Sequence, residues 1–360
     1  MAEVTIIEAT TKRVMTEVVN KREKGKKALT SILFPPSVEQ NLTSEYVQVD
    51  QLTGQNGMAP FVEKNGKAVA VDQLNGDSYI VECPSINIKR ALTCNDLLLE
   101  RQAGQKVFYS NGVDIYKEAA EKQIRDDLYN LDEMIENRVE WMVSQLIQGE
   151  ISYSVDGGAS FKITTSKPNG NTFDVGTAWT ADTAMPLNDI KKAKRVVQPY
   201  SGPGLQIAVC GQTASDALTT LVEAGKITSI KTDSGIEAGM ASLIAQYQEN
   251  GMLYLGTYGG IPFFEYAGTF VRDSDGTTVD PFIRTDYVEF LSTVRPESRV
   301  LYNGVIRDIE AILAGLHIGR RFATSDVDKD VGTYIAWLKA RPLPWLKRPD
   351  WNVSMKVTNL

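Results

Sequence analysis

The sequence predicts an α+β protein built around one very long helix. Three observations lead to this prediction. Between Asp114 and Gly149 the chain contains neither proline nor glycine. Before this stretch, strand-like segments are separated by glycines and Asn-Gly pairs, and after about residue 186 helical and strand-like segments follow each other without strict alternation. A doubly wound nucleotide-binding sheet would require that alternation, so the sequence indicates the α+β class.

The long helix is predicted over residues 114–148. Asp114 can cap its first turn, and Gly149 can close its last turn in a left-handed conformation. At ~1.5 Å per residue this helix is ~50 Å long, whereas a single globule of this chain length has a radius of gyration of ~21 Å, so we expect an elongated molecule. Trp141 and Val143 lie off the main apolar face, which predicts that the last turns contact a second element. The main face consists of Ile115, Ala119, Ile124, Leu128, Leu131, Ile135, Val139, Met142 and Leu146.

Composition indicates a soluble globular protein of the cytoplasm. The chain has 360 residues, a length sufficient for two compact units. Its content of 42% hydrophobic and 23% charged residues is typical of a globular protein. The first thirty or so residues contain no apolar signal-peptide core, and no apolar run is long enough to cross a membrane. Cys83, Cys94 and Cys210 are widely spaced and odd in number, so we expect reduced thiols. A net charge of -7 argues against an extended nucleic-acid footprint.

The N-terminal segment, residues 1–40, is predicted to be an arm. It contains a short amphipathic helix around Ile6 to Val19 and an apolar stretch, Ala28 to Phe34, which is stopped by prolines. Because the arm lacks a core of its own, we expect it to be mobile in the free subunit and to order against a neighbour. Its basic cluster is either a solvated end or a contact with an acidic neighbour or nucleic acid. The cluster consists of Arg13, Lys21, Arg22, Lys24, Lys26 and Lys27.

A long β-hairpin is predicted before the long helix. Residues 42–92 contain short apolar segments, and the pairs Asn65-Gly66 and Asn75-Gly76 are strong hairpin signals. We expect residues 50–78 to project from the subunit and to pack on a neighbour. Residues 150–185 are rich in Gly, Ser, Thr and Asn, which predicts short strands and loops.

A second unit is predicted to begin near Pro186. Its elements mix helices and strands, and the Pro- and Trp-rich end of the chain is expected to return to the first unit. Helices are predicted at 187–198, 213–224 and 236–247, and strands at 205–210, 252–257, 261–266 and 287–291.

The sequence predicts no catalytic, cofactor-binding or metal-ligating residue. His317 is the one histidine, and we expect it to be structural and hydrogen-bonded. No phosphate loop, dinucleotide fingerprint or nucleophile elbow occurs. The triplet Asp326, Asp328 and Asp330 resembles the opening of a calcium loop but lacks its glycine and closing glutamate, so it is interpreted as a solvated loop. The other acidic clusters that could hold a cation are Asp126-Asp127 and Asp132-Glu133.

Several segments resemble the major capsid proteins of tailed bacteriophages, most closely the lambda E type. Each motif is weak alone, but their order along residues 30–360 matches that family. Before the long helix the likeness rests on Arg90-Ala91-Leu92, and after it on Gly149, Tyr153, Phe161-Lys162-Ile163, Thr172 to Trp179 and Leu187 to Ile190. At the end of the chain it rests on Arg341-Pro342-Leu343, Arg348-Pro349-Asp350 and Val353 to Val357.

The resemblance implies the Hong Kong 97-like fold and a structural role. A capsid protein of this type self-assembles into hexamers and pentamers of an icosahedral shell around double-stranded DNA, and it is not an enzyme. The implied partners are other copies, a scaffolding protein, a decoration protein and the portal, with no membrane, cofactor or metal. The implied location is the virion capsid, assembled in the host bacterial cytoplasm. The implied divisions are an N-terminal arm at 1–40, an extended β-hairpin arm at 42–84, a peripheral domain at 85–185 with its spine helix at 114–148 and completed by 285–300 and 341–360, and an axial domain at 186–284 and 301–340.

Two other classes are compatible with the sequence. A cargo-enclosing bacterial nanocompartment shares the same fold. A cytoplasmic hydrolase with paired carboxylates would need two acids converging in a cleft, and no spacing in the sequence forces that convergence.

Overall fold

The structure of the chain is a computed structural model. Its long helix packs against a six-stranded sheet and a three-stranded sheet. The structure describes residues 12–21, 27–52, 76–93, 114–154, 160–200, 204–227, 237–272, 276–328 and 333–358. Within these ranges no helix combines the length and apolar character needed to span a membrane.

The predicted helices are present, and those after residue 113 have nearly the predicted bounds, whereas the predicted start of the arm helix near Ile6 lies outside the described residues. The long helix runs from Asp114 to Gln148, and Gly149 ends it with a φ of 109°, the left-handed conformation that favours glycine. Its predicted apolar face is buried from Leu128 to Leu146, and the burial of Val143 confirms that the last turns contact a second element. The helices are α1 Lys12–Lys21, α2 Ala28–Leu33, α3 Asp114–Gln148, α4 Pro186–Val197, α5 Gln212–Glu223, α6 Glu237–Glu249 and α7 Ile309–Leu313.

A six-stranded mixed sheet separates two hydrophobic cores. Its order is β7-β18-β13-β8-β10-β9, and its strands are β7 Thr172–Asp174, β8 Ile207–Cys210, β9 Leu253–Tyr258, β10 Ile261–Glu265, β13 Tyr287–Leu291 and β18 Val353–Lys356. Every residue of β8 is buried. Because side chains alternate across a strand, Ile207 and Val209 enter the core shared with the end of α3, whereas Ala208 and Cys210 enter the core beneath α4 and α5. This sheet therefore joins the long helix to the second unit.

A three-stranded antiparallel sheet, β15-β16-β4, packs on α3 between Ile124 and Ile135. Its strands are β4 Ile86–Leu92, β15 Phe322–Asp328 and β16 Thr333–Ala340. Ala323, Ala336 and Leu338 share a core with Leu131 and Ile135 of the helix. Residues far apart in the sequence thus cover the predicted apolar face of α3.

The remaining strands form one three-stranded sheet and three hairpins. The sheet is β1-β14-β17, with β1 Glu39–Asn41, β14 Arg299–Asn303 and β17 Pro342–Leu346. The hairpins are β2 Tyr46–Leu52 with β3 Gly76–Glu82, β5 Glu150–Ser154 with β6 Ser160–Thr164, and β11 Thr269–Val271 with β12 Val279–Pro281. The antiparallel pair β2 and β3 confirms the lower part of the predicted long hairpin, from the Tyr46–Glu82 pair to the Leu52–Gly76 pair. Its predicted tip, including Asn65-Gly66, lies outside the described residues.

The described part of the N-terminal arm does not behave as predicted, because it packs on its own chain. Met15 and Val19 of α1 are buried against the β15-β16-β4 sheet, and the Thr16 hydroxyl donates to the Ala323 carbonyl at 3.2 Å. All residues of α2 except Ser31 are buried, and its apolar side chains lie in the core at the end of α3. The arm lacks a core of its own, as expected, but it contributes apolar side chains to the cores of the folded subunit.

The strand pairing also differs from the expected grouping of segments. Strands β15 and β16 lie in the segment 301–340, which is expected in the axial domain, but they pair with β4 and pack on α3. Conversely, β13 and β18 come from segments grouped with the first unit but pair within the six-stranded sheet. Pairing between distant strands is a tertiary property, and local periodicity carries no information about it.

Candidate functional site

The acidic residues considered for a cation lie in different environments. Asp127 and Asp132 are buried on α3, and each forms an ion pair with an arginine. Asp326 and Asp328 are exposed on strand β15, which corrects their interpretation as a loop, and Asp330 lies outside the described residues. Among the residues that the structure describes, no group of His, Cys, Asp and Glu is arranged to hold a metal ion.

The histidine and the cysteines have structural surroundings. His317 is half-buried, but its Nδ1 is buried without a hydrogen-bond partner, so the expected hydrogen bond at this atom is absent. Cys83 and Cys210 are free and buried, as predicted, and Cys94 lies outside the described residues. Burial raises the pKa of Cys83 to about 11, despite the opposing charge of Arg341, so the thiol stays protonated and unreactive at neutral pH.

The long helix has a second buried face, which is acidic. Asp132 and Glu136 are buried and meet two arginines that precede β15. The Arg321 Nε lies 2.9 Å from an Asp132 carboxylate oxygen, and its Nη2 lies 2.5 Å from Glu136. Arg320 binds the same Glu136 oxygen at 2.5 Å. These ion pairs join the middle of α3 to the start of the β15-β16-β4 sheet.

One helical turn further along, Glu140 binds the N-terminal arm. The Glu140 carboxylate is fully buried, and it accepts hydrogen bonds from the backbone N–H groups of Leu29 and Thr30, each at 2.8 Å. The Thr30 hydroxyl donates to it at 2.6 Å, and the Tyr266 hydroxyl is a further partner. Burial raises the pKa of Glu140, while these hydrogen bonds oppose the rise. Glu140 therefore supplies the cap that α2 lacks in its own sequence, where Lys27 makes no side-chain cap.

The acidic face fixes how the other elements are placed along α3. Asp132, Glu136 and Glu140 follow each other at intervals of four residues, so they lie on one face of the helix. The sequence alone does not predict that this face is buried, because acidic residues at that spacing are most often solvent-exposed. Their spacing, together with the adjacent pair Arg320 and Arg321, was the available signal. A buried ion pair adds little net stability, but loss of one partner leaves an uncompensated charge.

A second buried network connects the end of α3 with the six-stranded sheet. The Lys167 ammonium donates to the Ile147 carbonyl at 2.9 Å and to the Ser354 hydroxyl at 2.6 Å. The Ser354 hydroxyl donates in turn to Glu289, which also pairs with Arg284 at 3.1 Å. Burial lowers the pKa of Lys167 to about 8, although the nearby Glu289 opposes the change. This lysine caps the C-terminal end of the long helix from a neighbouring loop.

Arg341 anchors the base of the predicted hairpin arm. Its guanidinium donates to the Cys83 carbonyl at 2.8 Å and 3.1 Å, and it pairs with Glu82 at 2.9 Å. A further bond at 3.2 Å reaches the Val305 carbonyl. The end of β3 is therefore fixed to the segment between β16 and β17, a long way along the chain. Arg341 belongs to the Arg-Pro-Leu motif that contributed to the family resemblance.

The described polar networks hold elements together, and none of them surrounds a cleft with converging reactive groups. The combination of a long helix and a hairpin arm matches the architecture that the family resemblance implies. The family model described as phage major capsid protein E matches residues 11–357, so the chain belongs to the phage major capsid protein E family. Its role is that of a structural capsid subunit of the phage virion, as the resemblance implied. None of the curated proteins matches the sequence.

Solved structures share the fold at low sequence identity. A protein of an Escherichia coli CFT073 prophage, described as a capsid protein, matches with a TM-score of 0.69 and 17% identity over 95% of this chain and 97% of that chain. A phage-related protein of Bordetella bronchiseptica RB50 matches with a TM-score of 0.52 and 12% identity over 97% of each chain. At these identities the likeness concerns the fold, which is the predicted Hong Kong 97-like α+β fold.

Proposed function

We propose that this capsid protein assembles into hexamers and pentamers of an icosahedral shell that encloses double-stranded DNA. The observation that carries the proposal is the family match over nearly the whole chain. The fold supports it, because a long helix with an anchored hairpin at its side spreads a subunit over several neighbours. Contacts that are spread in this way bury area on several copies at once, although each contact is weak.

The proposed domain division follows the strand pairing. The peripheral domain comprises α3 with the β15-β16-β4 and β1-β14-β17 sheets, and the axial domain comprises the six-stranded sheet with α4 and α5. This division moves β15 and β16 into the peripheral domain, and β7, β13 and β18 into the axial domain, relative to the sequence-based one. The core at the end of α3 lies between the two domains, because Ile207 and Val209 of the six-stranded sheet share it with Val139 and Met142 of the helix.

The other proposed partners follow from the same role. A scaffolding protein, a decoration protein and the portal are expected to bind the shell, and assembly is expected in the host bacterial cytoplasm. DNA is proposed to be held by proximity alone, because a net charge of -7 opposes tight binding to phosphates and favours later release of the DNA. The family assignment implies a structural role, so we propose no enzymatic activity.

Imaging of the purified chain tests the proposal. Size-exclusion chromatography with negative-stain microscopy should detect shells, or free hexamers and pentamers. A uniform small oligomer without such species would overturn the proposal. Shells that copurify with a protein cargo and that never accept DNA in a packaging reaction would support the nanocompartment alternative instead.

A shortened hairpin tests how the subunits hold each other. Deletion of residues 54–74 leaves Thr53 and Asn75 as the loop between the paired residues Leu52 and Gly76, so the paired base is retained. We expect a folded subunit with unchanged thermal unfolding that fails to assemble. Normal shells from this variant would show that the hairpin arm is not needed for assembly.

A further inference from the structure

The short helix α7 exposes its apolar side chains instead of burying them. Leu313 is 82% exposed and Ile309 is 77% exposed, and Ile312 is exposed beside them. These positions are three and four residues apart, so they form one face of the helix. The opposite face buries Ala311 in a small core with Phe322. Large apolar side chains that cluster on the surface, and are not scattered singly, mark a binding surface.

Polar contacts hold α7 rigidly in this orientation. Asp308 caps the helix by accepting from the backbone N–H groups of Glu310 and Ala311 at 2.7 and 3.2 Å, and it also pairs with Lys339. Glu310 pairs with Lys12 of the arm at 2.7 Å and accepts from the Thr324 hydroxyl at 2.7 Å. A surface that is already ordered loses little conformational entropy on binding. The charges around the apolar face are thus neutralised within the subunit.

A groove of about 590 Å³ lies between β3 and β6. Among the described residues, no strand pairs with β3 or β6 on the edge that faces this groove. One wall is β3 with the residues that follow it, and the other is β6 with Tyr153 behind it. Ile80 is 77% exposed at this groove, and Phe161 is also exposed. The charged lining residues are already paired, Glu82 with Arg341 and Lys162 with Glu150. No residue of α7 lines the groove, so the subunit's own helix does not fill it.

We propose that α7 of one subunit docks in the groove between β3 and β6 of a second copy, an inference that rests on the proposed shell assembly. The two surfaces are complementary, because one is a projecting apolar face and the other an apolar recess, and the charges bordering each are neutralised internally. Burial of this contact therefore leaves no unpaired charge. Each copy carries one of each surface at different places, so the contact is heterologous and continues from copy to copy, as rings in a shell require.

A substitution on α7 tests whether this face is needed. Leu313→Asp places a charge on the projecting face, and because Leu313 is so exposed the variant should unfold at the parent's temperature. We expect its critical concentration for assembly to rise by about tenfold or more. The matched control is Val279→Asp on β12, which alters a side chain that is 58% exposed and lies on neither surface, and it should assemble like the parent. Assembly of Leu313→Asp at the parent's concentration would overturn the inference.

A cysteine pair tests the identity of the contact. Leu313→Cys subunits mixed with Phe161→Cys subunits should form disulfide-linked dimers on mild oxidation during assembly, whereas Val279→Cys mixed with Phe161→Cys should not. Equal cross-linking of both mixtures would overturn the docking of α7 in this groove. So would shells that form without any cross-link between Leu313→Cys and Phe161→Cys subunits. An α7 that contacts a decoration or scaffolding protein would give the latter result. If the parent itself forms no shells, the proposed function fails, and the two failures are therefore distinguishable.

Discussion

Replacement of Lys167 by methionine should change how the stability of the subunit depends on pH. The Lys167 amine has an ordinary pKa of 10.5, which burial lowers to about 8 in the folded chain. Below pH 8 both folded and unfolded chains carry the proton, so the folded state bears the full cost of a buried ammonium. Between about pH 8 and 10.5 the unfolded chain binds more protons, and the free energy of unfolding contributed by this group therefore rises with pH.

The magnitude follows from the difference in pKa. One pKa unit is worth ~1.4 kcal/mol, so this contribution should rise by about 3 kcal/mol across the window. The neutral amine keeps two N–H donors for its two acceptors, the Ile147 carbonyl and the Ser354 hydroxyl, so deprotonation does not break the network. The buried thiol of Cys83 acts in the opposite sense, because burial raises its pKa to about 11 and its stabilising contribution is lost as pH rises from 9 to 11.

The assay compares urea unfolding of the parent and of Lys167→Met at steps between pH 7.5 and 10.5. Because both proteins contain the same thiols and tyrosines, the difference between their unfolding free energies isolates Lys167. We expect this difference to change by about 3 kcal/mol in favour of the parent as pH rises. Lys162→Met, which removes an exposed lysine of β6, should follow the parent at every pH. A difference between the parent and Lys167→Met that stays constant with pH would refute the reasoning.

Three further predictions concern the long helix. Glu140→Gln should lower the free energy of unfolding by ~1–3 kcal/mol and speed hydrogen exchange at the two backbone N–H groups of the arm that Glu140 binds, because the glutamine side chain has only one acceptor oxygen. Glu133→Gln, on the exposed side of the helix, should have neither effect. Ile135→Asp should lower the free energy of unfolding by several kcal/mol and reduce the yield of soluble protein, whereas Met134→Asp, on the exposed side, should change neither appreciably. Equal yields of the two variants would contradict the assigned faces of the helix. Arg321→Met should cost ~3–5 kcal/mol in urea unfolding, since it leaves two carboxylates short of a partner, and an unchanged midpoint would show that the buried ion pair contributes nothing.

The N-terminal arm illustrates how a prediction from the local sequence can be partly wrong. The sequence identifies its apolar residues correctly, but it predicts that the arm orders only against a neighbour. In the folded subunit Lys12 pairs with Glu310, and Lys27 approaches Glu133 at 4.0 Å, so at least these charges meet acids of the same chain. Such contacts between partly exposed charges contribute ~0–1 kcal/mol each, so the burial of Met15, Val19 and α2 is what holds the arm.

The sequence by itself determined the features that depend on neighbours along the chain. These are the long helix with its apolar face and its closing glycine, the base of the hairpin, and most of the second unit's helices and strands, because helical and strand periodicity and turn residues are local properties. It also carried the family likeness through the order of its short motifs.

The tertiary structure alone decided what depends on distant residues. Strands β15 and β16 join β4, and β18 joins the six-stranded sheet, because strand pairing satisfies backbone groups that no local rule assigns. The acidic face of α3 is buried because Arg320 and Arg321 and the amides of α2 reach it from segments far away in the sequence. From the sequence alone an acidic residue on a helix is expected in water, and only a partner supplied by folding makes its burial possible.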